Sequence, residues 1–222
     1  GPRPEFMNIL QSITGFQFNY LTDLQNTLLS REVGAMPFST EFISGEQIEF
    51  SVYQAYEKLN NNFEIHTEHT IPADIYTFWR YTLSGSTAQR RNVWASFMVD
   101  GGDFYSGKRT QYLAEMSYKI GVPLLLGGEY QHNDVSLLTG DFQTDVYRLN
   151  MNILFSPEIF LYNFLQYDNL TKKMGWQSRF VWILKPGREI FLVWKSVSQD
   201  PFERFEITEN STRLKLKYTI RF

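Results

Sequence analysis

An almost unbroken two-residue period runs through this chain and leaves few folds open to it. Between Arg213 and Phe222, Leu214, Leu216, Tyr218, Ile220 and Phe222 fall on one side. Arg213, Lys215, Lys217, Thr219 and Arg221 fall on the other. Tyr147, Leu149, Met151, Ile153 and Phe155 alternate in the same way with Arg148, Asn150 and Asn152. Tyr112, Ala114, Met116, Tyr118 and Ile120 alternate with Gln111, Glu115, Ser117 and Lys119. Alternation with aromatic and β-branched enrichment is the mark of a strand, and helical spacing fits these stretches less well.

The pattern predicts strands at 9–20, 26–35, 46–58, 62–70, 74–84, 88–100, 104–120, 122–132, 142–155, 158–168, 174–185, 188–197 and 212–222. Many reach about ten residues or more, whereas strands of soluble sheets centre on about five to six. A tilted strand crossing a bilayer needs about nine to eleven. The expected fold is therefore all-β, an antiparallel transmembrane β-barrel of about twelve to fourteen strands. Thirteen is odd, and single-chain bacterial barrels are normally even; either the weak 62–70 segment is misread or a strand is missing.

Composition narrows function. The 222 residues hold no cysteine, which removes disulfides, thiolate metal sites and cysteine nucleophiles. Net charge is −3, with no basic surplus to attract nucleic acid. No apolar run approaches the eighteen or so residues of a spanning helix. Aromatic residues nevertheless make up 17% of the chain, a load that must be buried or must face lipid. Residues 1–7 read as an expression-tag remnant, with Gly1-Pro2 as a protease scar and Arg3 to Phe6 as a linker before Met7. Residues 8–222 then form one barrel domain.

Turn lengths suggest an orientation. Gly121, Ser156-Pro157 and Pro186-Gly187 read as tight, His132 to Asp141 and Ser198 to Ser211 as long, and Asp168 to Lys173 as intermediate. Outer-membrane barrels pair short periplasmic turns with longer outer loops, so the last strand is expected to end at the periplasm. An Arg or Lys facing lipid at mid-bilayer costs about 2–4 kcal/mol. The charged faces are therefore assigned to the lumen, which collects Arg80, Arg109, Arg148, Arg179, Lys215 and Lys217 with Glu49, Glu115 and Glu129. Mixed signs point to a salt-bridged interior. A soluble β-sandwich or lipocalin-like barrel would alternate equally, with its apolar face inward.

The last two thirds carry a more specific likeness. NFEIHTEHTIPADIYTFWRY from Asn62 is followed by Gly101-Gly102, by DFYSGKRTQYLAEMSYK from Asp103, and by a long run from Glu129 to Asn169. MGWQSRFVWILKPGREIFLVW from Met174 closes the series. The Ile71-Pro72 step, the Phe-Tyr-x-Gly turn, the Leu-x-x-Gly-x-Phe loop, the Phe-Ser-Pro turn, the Gln-Tyr-Asp strand end and the hairpin around Pro186-Gly187 recur in order. This region, about 60–198, resembles the C-terminal barrel of a Gram-negative outer-membrane family of unknown function. Its members carry a family 9-like carbohydrate-binding module ahead of the barrel, which this sequence lacks. The resemblance implies a bacterial outer-membrane location and, through the module, a link to saccharides. It supplies no activity.

Candidate chemistry is sparse. His66 and His69, at i and i+3 of one strand, would point to opposite faces and could not share a metal. Gly101-Gly102 and Gly127-Gly128 precede no helix, so they read as bulges, bends or close approaches rather than phosphate cradles. Glu46, Glu49, Glu115 and Glu129 could supply a glycosidase pair only at the right separation, and paired lumen charges are the simpler reading. No catalytic residue, metal or cofactor is expected. Pro201 to Asn210 reads as an outer loop and the tryptophans as an interfacial belt.

The expected function is passive transport or surface binding of a saccharide or similar polar nutrient by an outer-membrane barrel. The alternatives are a non-conducting envelope scaffold that docks partner proteins and a soluble β-barrel ligand-binding domain. The expected partners are the lipid bilayer or detergent, the saccharide, and the outer-membrane insertion machinery. That machinery would read Tyr218, Ile220 and Phe222 as an assembly signal on an augmentable terminal strand.

Overall fold

The computed structural model describes residues 8–66 and 69–219. They form one antiparallel sheet of twelve strands and a separate two-stranded hairpin. The sheet runs β1 (Ile9–Thr22), β2 (Leu28–Phe42), β3 (Gln47–Lys58), β6 (Ile75–Ser86), β7 (Val93–Phe104), β8 (Gly107–Ile120) and β9 (Leu124–Leu137). It continues through β10 (Gly140–Ser156), β11 (Ile159–Asp168), β12 (Lys173–Lys185), β13 (Arg188–Gln199) and β14 (Glu206–Tyr218). β1 and β14 are its edge strands.

The even count resolves the odd one. The predicted strand 62–70 does not join the sheet; it is the hairpin β4 (Phe63–His66) and β5 (His69–Ile71), inserted between β3 and β6. Two arms of four and three residues are too short to cross what the other strands cross. Ile71 of this hairpin is buried with Val135 and Leu137 of β9, and Phe104, Tyr105 and Phe142 pack around them. That packing accounts for a second correction. His132 to Asp141, predicted as a long loop, continues β9 to Leu137, turns at Leu138-Thr139 and enters β10 at Gly140. The polar run of His132, Asn133 and Asp134 looked like loop because the apolar surface covering its other residues comes from far away in sequence. The loop predicted over Pro201 to Asn210 is likewise half strand, since β14 begins at Glu206. The contrast of short and long turns beyond residue 120 therefore largely disappears.

β2 runs past its predicted end through a register shift between Ala35 and Phe38. Pro37, which has no N–H for the ladder, sits in that shift. The β1–β2 turn is held by Asp23, whose Oδ1 accepts the backbone N–H of Thr27 at 2.8 Å and of Gln25 at 2.9 Å. The Thr27 bond foremost holds this carboxyl below its usual range. Its contribution is complete above the unfolded value of 3.8 and is lost as pH falls through the lowered one. Gly102 has φ of +134°, and a Cβ there would collide with the backbone oxygen of Trp79. The Gly101-Gly102 pair thus marks a close backbone approach, reachable only by glycine.

By its contacts the chain divides into two compact units. The first holds the strands from β1 to β6 with Ser96–Ala114 and His132–Gln143; the second holds Arg90–Ala95, Glu115–Gln131 and the chain from Thr144.

Candidate functional site: a sheltered polar face

Residues directly opposite in an antiparallel ladder point to the same side, so the registers sort each unit into two faces. In the first unit Glu49, Ser51, Tyr53 and Glu57 of β3 lie opposite Ser84, Thr82, Arg80 and Tyr76 of β6. Arg80 and Thr82 lie in turn opposite Gly102 and Asp100 of β7. The reverse side carries Phe50, Val52 and Tyr56 of β3, Trp79, Tyr81 and Leu83 of β6, and Phe97 and Val99 of β7.

Exposure then decides which side is sheltered. Arg80 is 1% exposed and Asp100 5%, whereas Trp79 is 45% and Tyr81 50% exposed. Charge is buried and aromatic surface is bare. A water-soluble β domain packs the apolar side of its alternation inward, and Asp and Arg are almost never fully buried unless paired. This unit does the reverse.

The buried charges are compensated as burial demands. Arg80 pairs with Asp100 through Nη2 and Oδ1. Its Nη1 donates to the carbonyls of Arg109 at 2.8 Å, Asp103 at 3.3 Å and Gly102 at 3.4 Å. Asp100 also accepts from Arg109 Nη2 at 3.1 Å and from Thr82 Oγ1 at 2.8 Å. The Arg109 guanidinium carbon lies 4.7 Å from the centre of the Phe104 ring. In the β7–β8 turn, Tyr105 donates its hydroxyl to Glu57 at 2.6 Å. Burial, and then that bond to Glu57, push its phenol well above the usual range, so it stays a donor.

The second unit sorts by register in the same way, but exposure does not separate its faces: Arg179, Lys195, Arg213, Lys215 and Lys217 are exposed on the polar side, as Trp176, Leu192 and Leu214 are on the other. Leu149, Met151, Leu161, Leu165, Trp176, Phe180, Trp182, Ile190, Leu192, Leu214 and Leu216 share one side across β10 to β14. Tyr130, Tyr147, Tyr167 and Phe202 follow one another with ring centres 5.0, 6.3 and 5.0 Å apart. The Tyr130 hydroxyl donates to Asp145 at 2.7 Å. The opposite side carries Arg148, Asn150, Asn152, Gln166, Gln177, Arg179, Lys195, Arg213, Lys215 and Lys217. There Arg148 pairs with Glu129, and Lys217 with Glu189 at 3.1 Å.

The predicted lumen residues Arg80, Arg109, Arg148, Arg179, Lys215 and Lys217 thus lie on the polar face of their own units, Glu129 among them through its ion pair. Glu115 is half-buried on β8. Asp100 and Glu57, which neutralise the first cluster, were not predicted as site residues. The residues two places away, Met98 and Gly102 for Asp100 and Ala55 and Leu59 for Glu57, are not polar, so no alternation marked either carboxylate.

Tyr218 stands on the apolar side of β14 and accepts a hydrogen bond from Arg188 at 2.9 Å. Ile220 and Phe222 lie outside the described residues. The reasoning that set His66 and His69 apart needs correction, because they are cross-strand partners in the hairpin with ring centres 5.3 Å apart. Both rings pack on Phe142. Among the described residues no group of three or more His, Asp or Glu side chains could hold a metal.

No family model matches the chain, and no curated protein matches it, so the family likeness drawn above stands as a resemblance. Among solved structures, one described as "NanC porin structure in rhombohedral crystal form" aligns over 94% of this chain and 99% of its own. The identity is 9% and the TM-score 0.39.

Proposed function

We propose that the chain is a bacterial outer-membrane β-barrel whose sheltered polar face lines a non-enzymatic passage for polar solutes. The observation that carries this reading is the inversion on β6, with Arg80 buried between exposed Trp79 and Tyr81. Bare aromatic surface of that extent is costly in water and favourable in hydrocarbon. Placement in lipid requires the backbone edges of β1 and β14 to be paired, because each unsatisfied group costs several kcal/mol there. A saccharide cargo rests on the binding module of the family that the chain resembles, and on the hydroxyl and amide groups of the polar face.

A non-conducting scaffold is the second reading. Its support is the Arg80–Asp100–Arg109 cluster, which with Phe78 occupies the polar side of the first unit. One preparation tests both. Refolded into detergent, the protein should migrate differently on gels before and after boiling, and in planar bilayers it should give discrete conductance steps. A monodisperse, detergent-free protein would contradict the barrel. Barrel behaviour without conductance would favour the scaffold.

A further inference from the structure

β11 breaks the rule of the polar face. Phe160, Tyr162 and Phe164 occupy successive positions on that side, opposite Val181, Arg179 and Gln177 of β12. Phe160 and Tyr162 stack with planes 9° apart, and the Arg179 guanidinium carbon lies 4.8 Å from the Tyr162 ring centre. Phe164 is 40% exposed. Its direct cross-strand partners are the amides Asn150 and Gln177, so much of the ring is bare to a polar surrounding.

Beside it lies a cavity of about 390 Å³ lined by Phe164, Gln166, Gln177, Lys173 and Lys195. Gly175 also lines it, and a Cβ there would meet nothing within 4 Å. The volume falls in the range of small-molecule sites, about 300–1,000 Å³. Its acid, Asp168, is committed to its own turn, accepting the N–H groups of Leu170 at 2.9 Å and Thr171 at 3.2 Å. The cations are not so committed. Lys195, with Arg213 and Lys215 further along the same face, forms no ion pair among the described residues. Glu209 is on this face too, beyond Ser211.

A flat apolar platform, planar amides and surplus positive charge together select one kind of solute. We infer that this face of β11 to β13 binds an acidic saccharide, a pyranose carrying a carboxylate. The C–H face of the ring lies against Phe164, where the negative π face meets weakly positive hydrogens. Its hydroxyls reach Gln166 and Gln177, and its carboxylate meets Lys195 in a charge-assisted bond. The inference rests on the passage proposed above and specifies its cargo.

Galacturonate and galactose, which share a ring and differ in the carboxylate, form the test. Binding is read by tryptophan emission, since Trp176 borders the cavity, on protein that has already shown heat-modifiable migration. Galacturonate should bind at least about tenfold more tightly than galactose, the worth of one charged contact. Lys195→Gln should remove that preference, Lys195→Arg should largely keep it, and Phe164→Ala should weaken both sugars by a similar factor. Equal affinity for the two sugars, no binding of either, or an unchanged preference in Lys195→Gln would each overturn the inference while the barrel stood. Loss of heat-modifiable migration in the parent protein would instead strike the barrel itself.

Discussion

Asp100→Ala should destabilise the folded protein by about 3–5 kcal/mol, the cost of removing one partner from a buried ion pair. Asp100 faces two guanidiniums, and one of them, that of Arg80, is almost fully enclosed. The carbonyls of Gly102, Asp103 and Arg109 would continue to accept from Arg80, yet none of them carries a charge. Thr82 would lose its acceptor as well. Adding Arg80→Met should recover most of the loss, because removing both members of a buried pair is often close to neutral. Urea unfolding in micelles measures both variants. A loss under about 1 kcal/mol for Asp100→Ala would mean that water reaches the cluster and that Arg80 is not buried.

Leu192→Arg should cost about 2–4 kcal/mol in a bilayer. Leu192 stands near the middle of β13, and its direct cross-strand partners on the apolar side, Phe180 and Leu214, offer a cation no counter-charge. Gln177→Arg makes a comparable change on the opposite side, beside Lys195. It should cost under about 1 kcal/mol, chiefly from repulsion between like charges in a polar setting. Folding into lipid vesicles, followed by denaturant titration, would compare the two. Similar costs for both would mean that the two faces share one solvent.

Much of the fold was legible because alternation is a local signal. β14, β10 and β8 repeat their two-residue period over most of their length, and each is a strand of the sheet. Reading failed where long-range packing decides the outcome. The segment from Phe63 to Ile71 alternates well enough to pass for a strand, but its arms turn back on each other and Ile71 seats on Val135 and Leu137. Those same contacts turned an expected loop into the end of β9. The strand predicted over 26–35 stopped short of residues 36–42, which the ladder includes by absorbing Pro37 in a register shift.

The polar face was legible as a list of charged residues but not as an arrangement. That Asp100 meets both Arg80 and Arg109 depends on the register of β6, β7 and β8, which no spacing in the sequence states. β11 was opaque for a different reason. Ile159 to Leu165 is apolar or aromatic at nearly every position, so it has no period from which to assign Phe160, Tyr162 and Phe164 to a side. Only pairing with the clearly alternating β12 assigns them.

The central claim is that the apolar face contacts lipid and the polar face contacts water. The chain's lack of cysteine permits single-site labelling on either face. Leu83→Cys and Ser84→Cys are neighbours on opposite sides of β6, and Phe180→Cys and Gln177→Cys are on opposite sides of β12. Each would carry a fluorophore in protein reconstituted into vesicles, with quenching by brominated acyl chains compared against quenching by iodide in water. The account predicts that labels at 83 and 180 are quenched by the lipid and shielded from iodide, and that labels at 84 and 177 show the reverse. Iodide quenching at 83 and 180, equal to that at 84 and 177, would contradict it.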